Sequence, residues 1–513
     1  MAEMRTFLLL YGVLSAFAYA SLLPLWEGFD EPFHYAYVQT VARQKRLPVR
    51  KQSGISMEVR ASLELAPASH VVARNLPFVT TYADWFRLPD AERGRRRAAL
   101  FSIPTELGNR IPDDGSNYEA QQAPLAYLLI APLDRLWAGA PLPERVWRLR
   151  LVSGSVAIAA ACLGIFVLAA RLGLPGVWAA WMAFLLLSSQ MLYAAAAHIT
   201  NDWLAIALAP WFFAAAAAYT RRPDARRGAA LGTTLALGLL AKAYYLAFLP
   251  LALGLAMWKR RGAAAVVAPL ILLAAPWYWR NWTLYGTVTG ALEAIVRHSL
   301  WDIAGTLLRM PWATAVASSA RRSLWTANNS FDTFSAATLN LMLLLALCAA
   351  VLSVRAAWRK RPSPPEGVLL AGCLLFAGLV AYSTAALFLV FGEPGLGGAP
   401  WYTPTIFAAL LGLLACGLSR TGRAGRWLAV AMTAMWAYVM AATWWVKLIP
   451  LYGGYRGRAR VGALAEWYGR GPGLLGDTAI AAPALVLALA AAATIGAVSG
   501  AALVCRALLR SRP

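Results

Sequence analysis

"LNLMLLLALCAAVLSV" (339–354) is apolar on every side of a helix and lacks period-two alternation, so it reads as a membrane-crossing α-helix rather than a barrel strand. Similar runs recur along most of the 513 residues, of which 60% are hydrophobic and 14% charged. Soluble domains carry about 25% charged residues, so the chain reads as a polytopic membrane protein. A crossing needs roughly 20 apolar residues, and about a dozen fit. They are expected at 6–25, 151–170, 177–195, 203–220, 228–241, 243–257, 263–278, 337–354, 368–392, 403–419, 427–449 and 477–505. The expected fold class is an all-α polytopic membrane protein of about 12 transmembrane helices, forming a single domain over 1–513.

The net charge of +23 resides in short clusters between apolar runs: "RRPDARR" (221–227), "KRR" (259–261), "RAAWRKR" (355–361), "RTGRAGR" (420–426) and the terminal "RALLRSR". That is the positive-inside pattern and not a nucleic-acid stripe, so membrane lipids are expected as partners and nucleic acid is not. Both termini are then expected on the cytoplasmic side. "MAEMRTFLLLYGVLSAFAYA" ends in a sequence resembling a signal-peptidase site, but the run continues through "SLLPLW" and reads as an uncleaved first span. "APLAYLLIAPLDRLWAG" (123–139) looks like a further span, yet counting it places every later basic cluster outside. It is expected to lie on the outer membrane face. The segments 228–241 and 243–257 are short, and are also readable as one hairpin with Lys242 at its tip.

This topology leaves two long external connections, 26–150 and 279–336, with interfacial helices, and a shorter one at 450–476. Long connections usually carry function. All five cysteines lie in or at the end of apolar runs and read as small buried hydrophobes.

Directly behind the first span stands "WEGFDEPFHYAYVQ" (26–39). Asp30 before Glu31-Pro32 suits a helix N-cap, and it also suits a proton acceptor at a low-dielectric boundary, with Glu31 and His34 on the same first turn. Glu119, followed by Gln121 and Gln122, is either a solvated loop acid or a second site carboxylate. Asn201 and Asp202 in "HITNDWLAIAL" (198–208) are either cap residues or site residues. Lys242 stands alone between apolar runs, which implies a partner unless it snorkels. Arg280 and Asn281 in "PWYWRNWTLYG" (276–286) close a span, where the arginine is either a phosphate ligand or an interfacial anchor. Carboxylates opposite cations are what transfer from a membrane-anchored phosphate donor requires. Walker, GxSxG, CxxC and HExxH patterns are absent from the sequence.

"DEPFHYAYVQ", "YEAQQAPLAY", "ERVWRLRLVSG", "HITNDWLAIAL", "LGLLAKAYYLAFLP" and "PWYWRNWTLYG", in this order over residues 1–290, resemble the type C glycosyltransferases. The nearest resemblance is to protein O-mannosyltransferases and aminoarabinose transferases. It implies a polyprenyl-phosphate-linked sugar donor, an acceptor hydroxyl on a protein, lipid or glycan, and an active site on the external face. It further implies that Asp30 is the catalytic base with Glu31 in support, and that Lys242 and Arg280 contact the donor phosphate. His34, Glu119, Gln122, Asn201, Asp202 and Asn281 then line the substrate site. It implies no particular cofactor; some relatives bind a divalent metal near these acids, for which Glu31, His34 and Glu119 are the candidate ligands. "QQAPLAY" and "GGAPWYTP" (397–404) depart from the family's usual wording, which leaves donor and acceptor identity open. The competing class is a transporter or flippase of a lipid-linked or anionic substrate, for which internal repeats are expected and not evident.

Overall fold

The computed structural model describes residues 2–511 except 76–77, 291–297, 394–399, 456, 458–459 and 472–474. Parts of "GGAPWYTP" and of the 279–336 and 450–476 connections therefore lie outside the described residues. Among those described, regular structure is helical throughout, with only isolated bridges at Ala68–Thr81 and Ala327–Asp332. Eight helices among the described residues are long and apolar enough to cross a membrane, or nine if the bent pair Gly176–Leu187 and Gln190–Ala196 is one span. The chain is an integral membrane protein.

The difference from twelve expected spans has local causes. The 177–195 run bends by 60° at its break. The 228–241 and 243–257 runs form Ala225–Ala241 and, after a break, Ala243–Lys259, while 403–419 is the 16-residue helix Pro404–Ser419. Lys242 has extended backbone (φ −152°, ψ 135°) at that break, between two helical segments. The second long helix begins at Leu142, not 151, because buried Arg145 and Arg150 interrupt the apolar run without ending the helix. Helix Leu125–Leu136, within the surface segment expected at 123–139, has 12 residues. At 1.5 Å per residue it reaches about 18 Å, short of the roughly 30 Å hydrocarbon core.

Close packing is set by small residues. Gly228 and Gly232, one turn apart, face the helix Ala263–Pro269; an added Cβ would stand 2.4 Å from the Gly262 carbonyl oxygen and 2.2 Å from that of Val266. Backbone meets backbone there, as small-xxx-small contacts allow. Gly232→Val is expected to destabilise the protein by about 1–3 kcal/mol through overpacking, seen as a lower melting midpoint in detergent. Gly254→Ala, which meets nothing within 4 Å, is the control expected to melt with the parent.

The long connection 26–150 is pinned to the spans by a buried ionic knot. Arg145 pairs with Glu58 and with Asp134 at 3.2 Å, and donates to the Tyr35 hydroxyl at 2.7 Å. Tyr35 donates in turn to Asp134 at 2.7 Å, and Gln39 to Glu58 at 2.7 Å. One guanidinium thus joins helices Glu31–Gln39, Met57–Leu65 and Leu125–Leu136 to the second long helix. The knot fixes the base on which the Asp30 segment stands.

Candidate active site

The Asp-Glu pair divides into two environments. Asp30 occupies the N-cap position of helix Glu31–Gln39, with left-handed backbone (φ 54°, ψ 19°) and no side-chain capping bond. A non-glycine residue in that region costs roughly 1–2 kcal/mol, more easily borne by Asp or Asn than by most side chains. The capping role therefore belongs to its position only. Its carboxylate instead accepts from the Tyr118 hydroxyl at 2.5 Å and retains partial solvent access. Burial raises the Asp30 carboxyl above its ordinary value, against the opposing effects of the Tyr118 bond and the Lys242 charge. Glu31 points the other way. Both its oxygens are taken by Arg150, one at 2.7 Å, and Oε1 also accepts from the Ile199 amide at 2.9 Å. Burial, the largest single influence, opposes its ionisation, but the Arg150 charge, the hydrogen bonds from Arg150 and the Ile199 amide and the His198 charge together outweigh it and hold the carboxyl below the usual range.

A continuous polar chain runs beside Asp30. Gln122 donates to Glu119 at 2.6 Å; Asn201 donates to Gln122 at 3.0 Å; Lys242 donates to Asn201 at 2.5 Å and to Asp202 at 3.0 Å. Tyr244 donates to Asp202 at 3.1 Å, and Thr405 donates to Tyr244 at 2.8 Å. Five residues named from the sequence, Glu119, Gln122, Asn201, Asp202 and Lys242, thus form one network. Lys242 has the partner its apolar flanks demand, and that partner is Asp202. Asp202 is the first residue of its helix, whose N-cap is Asn201. Burial and the negative charge of Asp30 push Glu119 up to about 7.

His34 is buried, and its Nδ1 lies 2.7 Å from the Tyr127 hydroxyl. Burial, with the Lys242 charge adding to it, moves His34 well below its usual value and keeps it neutral. The Tyr127 ring stacks on Tyr37 at 3.9 Å. Arg280 and Asn281 share no hydrogen bond with the Lys242 network. Arg280 donates to the Pro48 carbonyl at 3.0 Å and lies over the Trp277 ring at 4.7 Å. Asn281 donates to the Val288 carbonyl at 3.3 Å. Nη1 of Arg280 and Oδ1 of Asn281 are buried without a partner among the described residues, which is costly unless something else satisfies them.

The metal set fits poorly. Glu31 is saturated by Arg150, Nδ1 of His34 lies against Tyr127, and no three His, Cys, Asp or Glu side chains converge as ligands among the described residues. No step is assigned to a metal.

The structure also adds residues that the sequence did not single out. Glu27, fully buried, accepts from the Ser330 amide at 2.7 Å and the Tyr452 hydroxyl at 3.2 Å, and burial raises it to about 7. Asn329 donates to the Gly28 carbonyl at 2.9 Å, and its amide to the Glu27 carbonyl at 3.1 Å. The end of the 279–336 connection is thereby bonded to the backbone two and three residues before Asp30. Tyr118 and Arg150 lie inside quoted motifs, and Arg150, the last arginine before the apolar run that starts at 151, is a usable signal. Nothing local marks Tyr118 as the partner of Asp30.

No family model matches the chain, and no curated protein matches it in sequence. Two solved structures are similar over most of its length, at 15% identity each: ArnT from Cupriavidus metallidurans bound to undecaprenyl phosphate and the same protein in the apo state. The first has a TM-score of 0.42 and covers 93% of this chain and 77% of that one, and the second has 0.39, with 92% and 75%.

Proposed function

We propose that the protein is a membrane glycosyltransferase of the type C class, moving a sugar from a polyprenyl-phosphate donor to an acceptor hydroxyl at the external face. The observation that carries this reading is Asp30: a carboxylate held in left-handed backbone without capping anything, its basicity raised by burial, beside a network that contains Lys242.

In this reading the acceptor oxygen attacks the anomeric carbon while Asp30 takes the hydroxyl proton. The bond from the anomeric carbon to the phosphate oxygen breaks, and the polyprenyl phosphate leaves with the electron pair. A single displacement inverts the anomeric centre. Two of the three Lys242 donors are engaged by Asn201 and Asp202, and the third is free to meet the phosphate. Arg280 offers its unpartnered Nη1. Glu31 acts through Arg150, fixing the first helical turn after Asp30. Glu119, Gln122, Asn201, Asp202, His34 and Asn281 shape the donor and acceptor surfaces. The spans grip the isoprenoid chain, an even number of crossings puts both termini in the cytoplasm, and 1–513 works as one domain.

The test is release of polyprenyl phosphate from a purified polyprenyl-phosphate sugar, with the anomeric configuration of the product read by NMR. Retained configuration would remove the single-displacement step. Transport of intact donor without release would favour the flippase reading.

A pH experiment probes the Asp30 environment. The Tyr118 bond lowers the Asp30 value, so Tyr118→Phe is expected to raise it further. Deprotonated base then accumulates only at higher pH, and the acidic limb of the turnover profile moves upward. At the acid end the loss should reach roughly tenfold, the scale of a bond to a charged group, and it should shrink as pH rises. An unmoved limb would separate Tyr118 from the base.

A further inference from the structure

We infer that the end of the molecule opposite the acidic site holds a seat for an anionic phospholipid. Helix Asp202–Arg221 begins in the Lys242 network and ends in "RRPDARR". Its 20 residues extend about 30 Å, one hydrocarbon thickness, so the two ends face opposite leaflets.

At the arginine end, a cavity of about 400 Å³ opens between the helices Leu142–Leu172, Asp202–Arg221 and Ala225–Ala241. Its walls include Val167, Trp211 and Ala218, and it also contains Arg171, Arg226 and Arg227. The arginines come from helix termini: Arg171 from the last turn of one helix, Arg226 and Arg227 from the first turn of another. Val167, Trp211 and Ala218 come from within the helices. The cavity therefore has a cationic mouth at the water boundary and an apolar trough running into the membrane, the outline of a phosphate headgroup with its acyl chain.

Charge pairing sharpens the argument. Arg227 is neutralised by Asp224, which also accepts from the Arg227 amide at 2.8 Å. The Arg171 and Arg226 side chains have neither an ion-pair nor a hydrogen-bond partner among the described residues. Two uncompensated guanidiniums at the mouth of an apolar trough match an anionic lipid headgroup, as basic pockets between membrane helices do. A free phosphate would satisfy the arginines and leave the trough unfilled.

The test uses the full-length protein in detergent micelles, titrated with phosphatidylglycerol or phosphatidylcholine of matched chains and read by native mass spectrometry. The parent is expected to retain phosphatidylglycerol in preference to phosphatidylcholine. Arg171→Gln/Arg226→Gln should weaken phosphatidylglycerol binding by about 25-fold, taking roughly fivefold per basic residue near an anionic headgroup, with the melting midpoint of the lipid-free protein unchanged. Arg355→Gln/Arg359→Gln, on another helix end, should bind as the parent does. Equal binding by the first variant, equal loss in the second, or full displacement of lipid by millimolar inorganic phosphate would each overturn the assignment.

Discussion

Asp30→Asn is expected to reduce sugar transfer by about a thousandfold, within the range that general-base catalysis contributes, while membrane expression and the melting midpoint stay at parental levels. Asparagine is the informative replacement because the backbone at this position is left-handed, with φ 54°. Asn tolerates that region, whereas Ala would add strain of about 1–2 kcal/mol and confuse a chemical loss with a structural one. The amide oxygen can still accept from Tyr118, so the replacement chiefly removes the ability to take a proton. Transfer assayed with a purified polyprenyl-phosphate sugar, beside a thermal melt of the same preparation, gives the answer. Normal transfer by this variant would remove the central chemical claim.

The second large effect is expected at Arg150. Its guanidinium holds both Glu31 oxygens and donates to the carbonyls of Leu23 at 2.6 Å and Pro24 at 2.9 Å. Both side chains of the pair are fully buried. Arg150→Met strands a carboxylate away from water and should cost about 3–5 kcal/mol, because breaking one half of a buried pair leaves the other charge uncompensated. Adding Glu31→Gln should recover much of that loss, since the remaining amide is neutral. A melting-midpoint cycle over the two single variants and the double variant measures the coupling. If Glu31→Gln alone abolished turnover and left the midpoint unchanged, Glu31 would have a chemical role beyond holding the turn.

What the sequence revealed follows from the range of the forces involved. Apolar runs report on the bilayer, a uniform solvent, so most long helices were legible from composition. The parity of basic clusters argued correctly that 123–139 does not supply another full-length span; its helix reaches only Leu125–Leu136. The run beginning at 151 misjudged a helix start because Arg145 and Arg150 look like water-facing residues until their buried acids are seen. Lys242 announced that it needed a counter-charge, but only the fold identifies Asp202, 40 residues earlier. The roles of Asp30 and Glu31 were inseparable by local reading. What separates them is Tyr118 on one side and Arg150 on the other, 88 and 119 residues away. Arg280 and Asn281, expected beside the other site residues, share no hydrogen bond with that network, and each keeps a buried polar atom without a partner among the described residues.

The Asp202–Arg221 helix has a mechanical consequence as well. Its first residue is paired with Lys242, and its last residue, Arg221, is exposed. Neither end can slide into hydrocarbon without stripping water or a counter-ion from a charge. The helix is therefore a fixed-length gauge, and a bilayer of mismatched thickness must deform around it or tilt it. Tilting would shift Asp202, and with it the Lys242 network beside Asp30, so the lipid thickness of the host membrane becomes a mechanical input to the site.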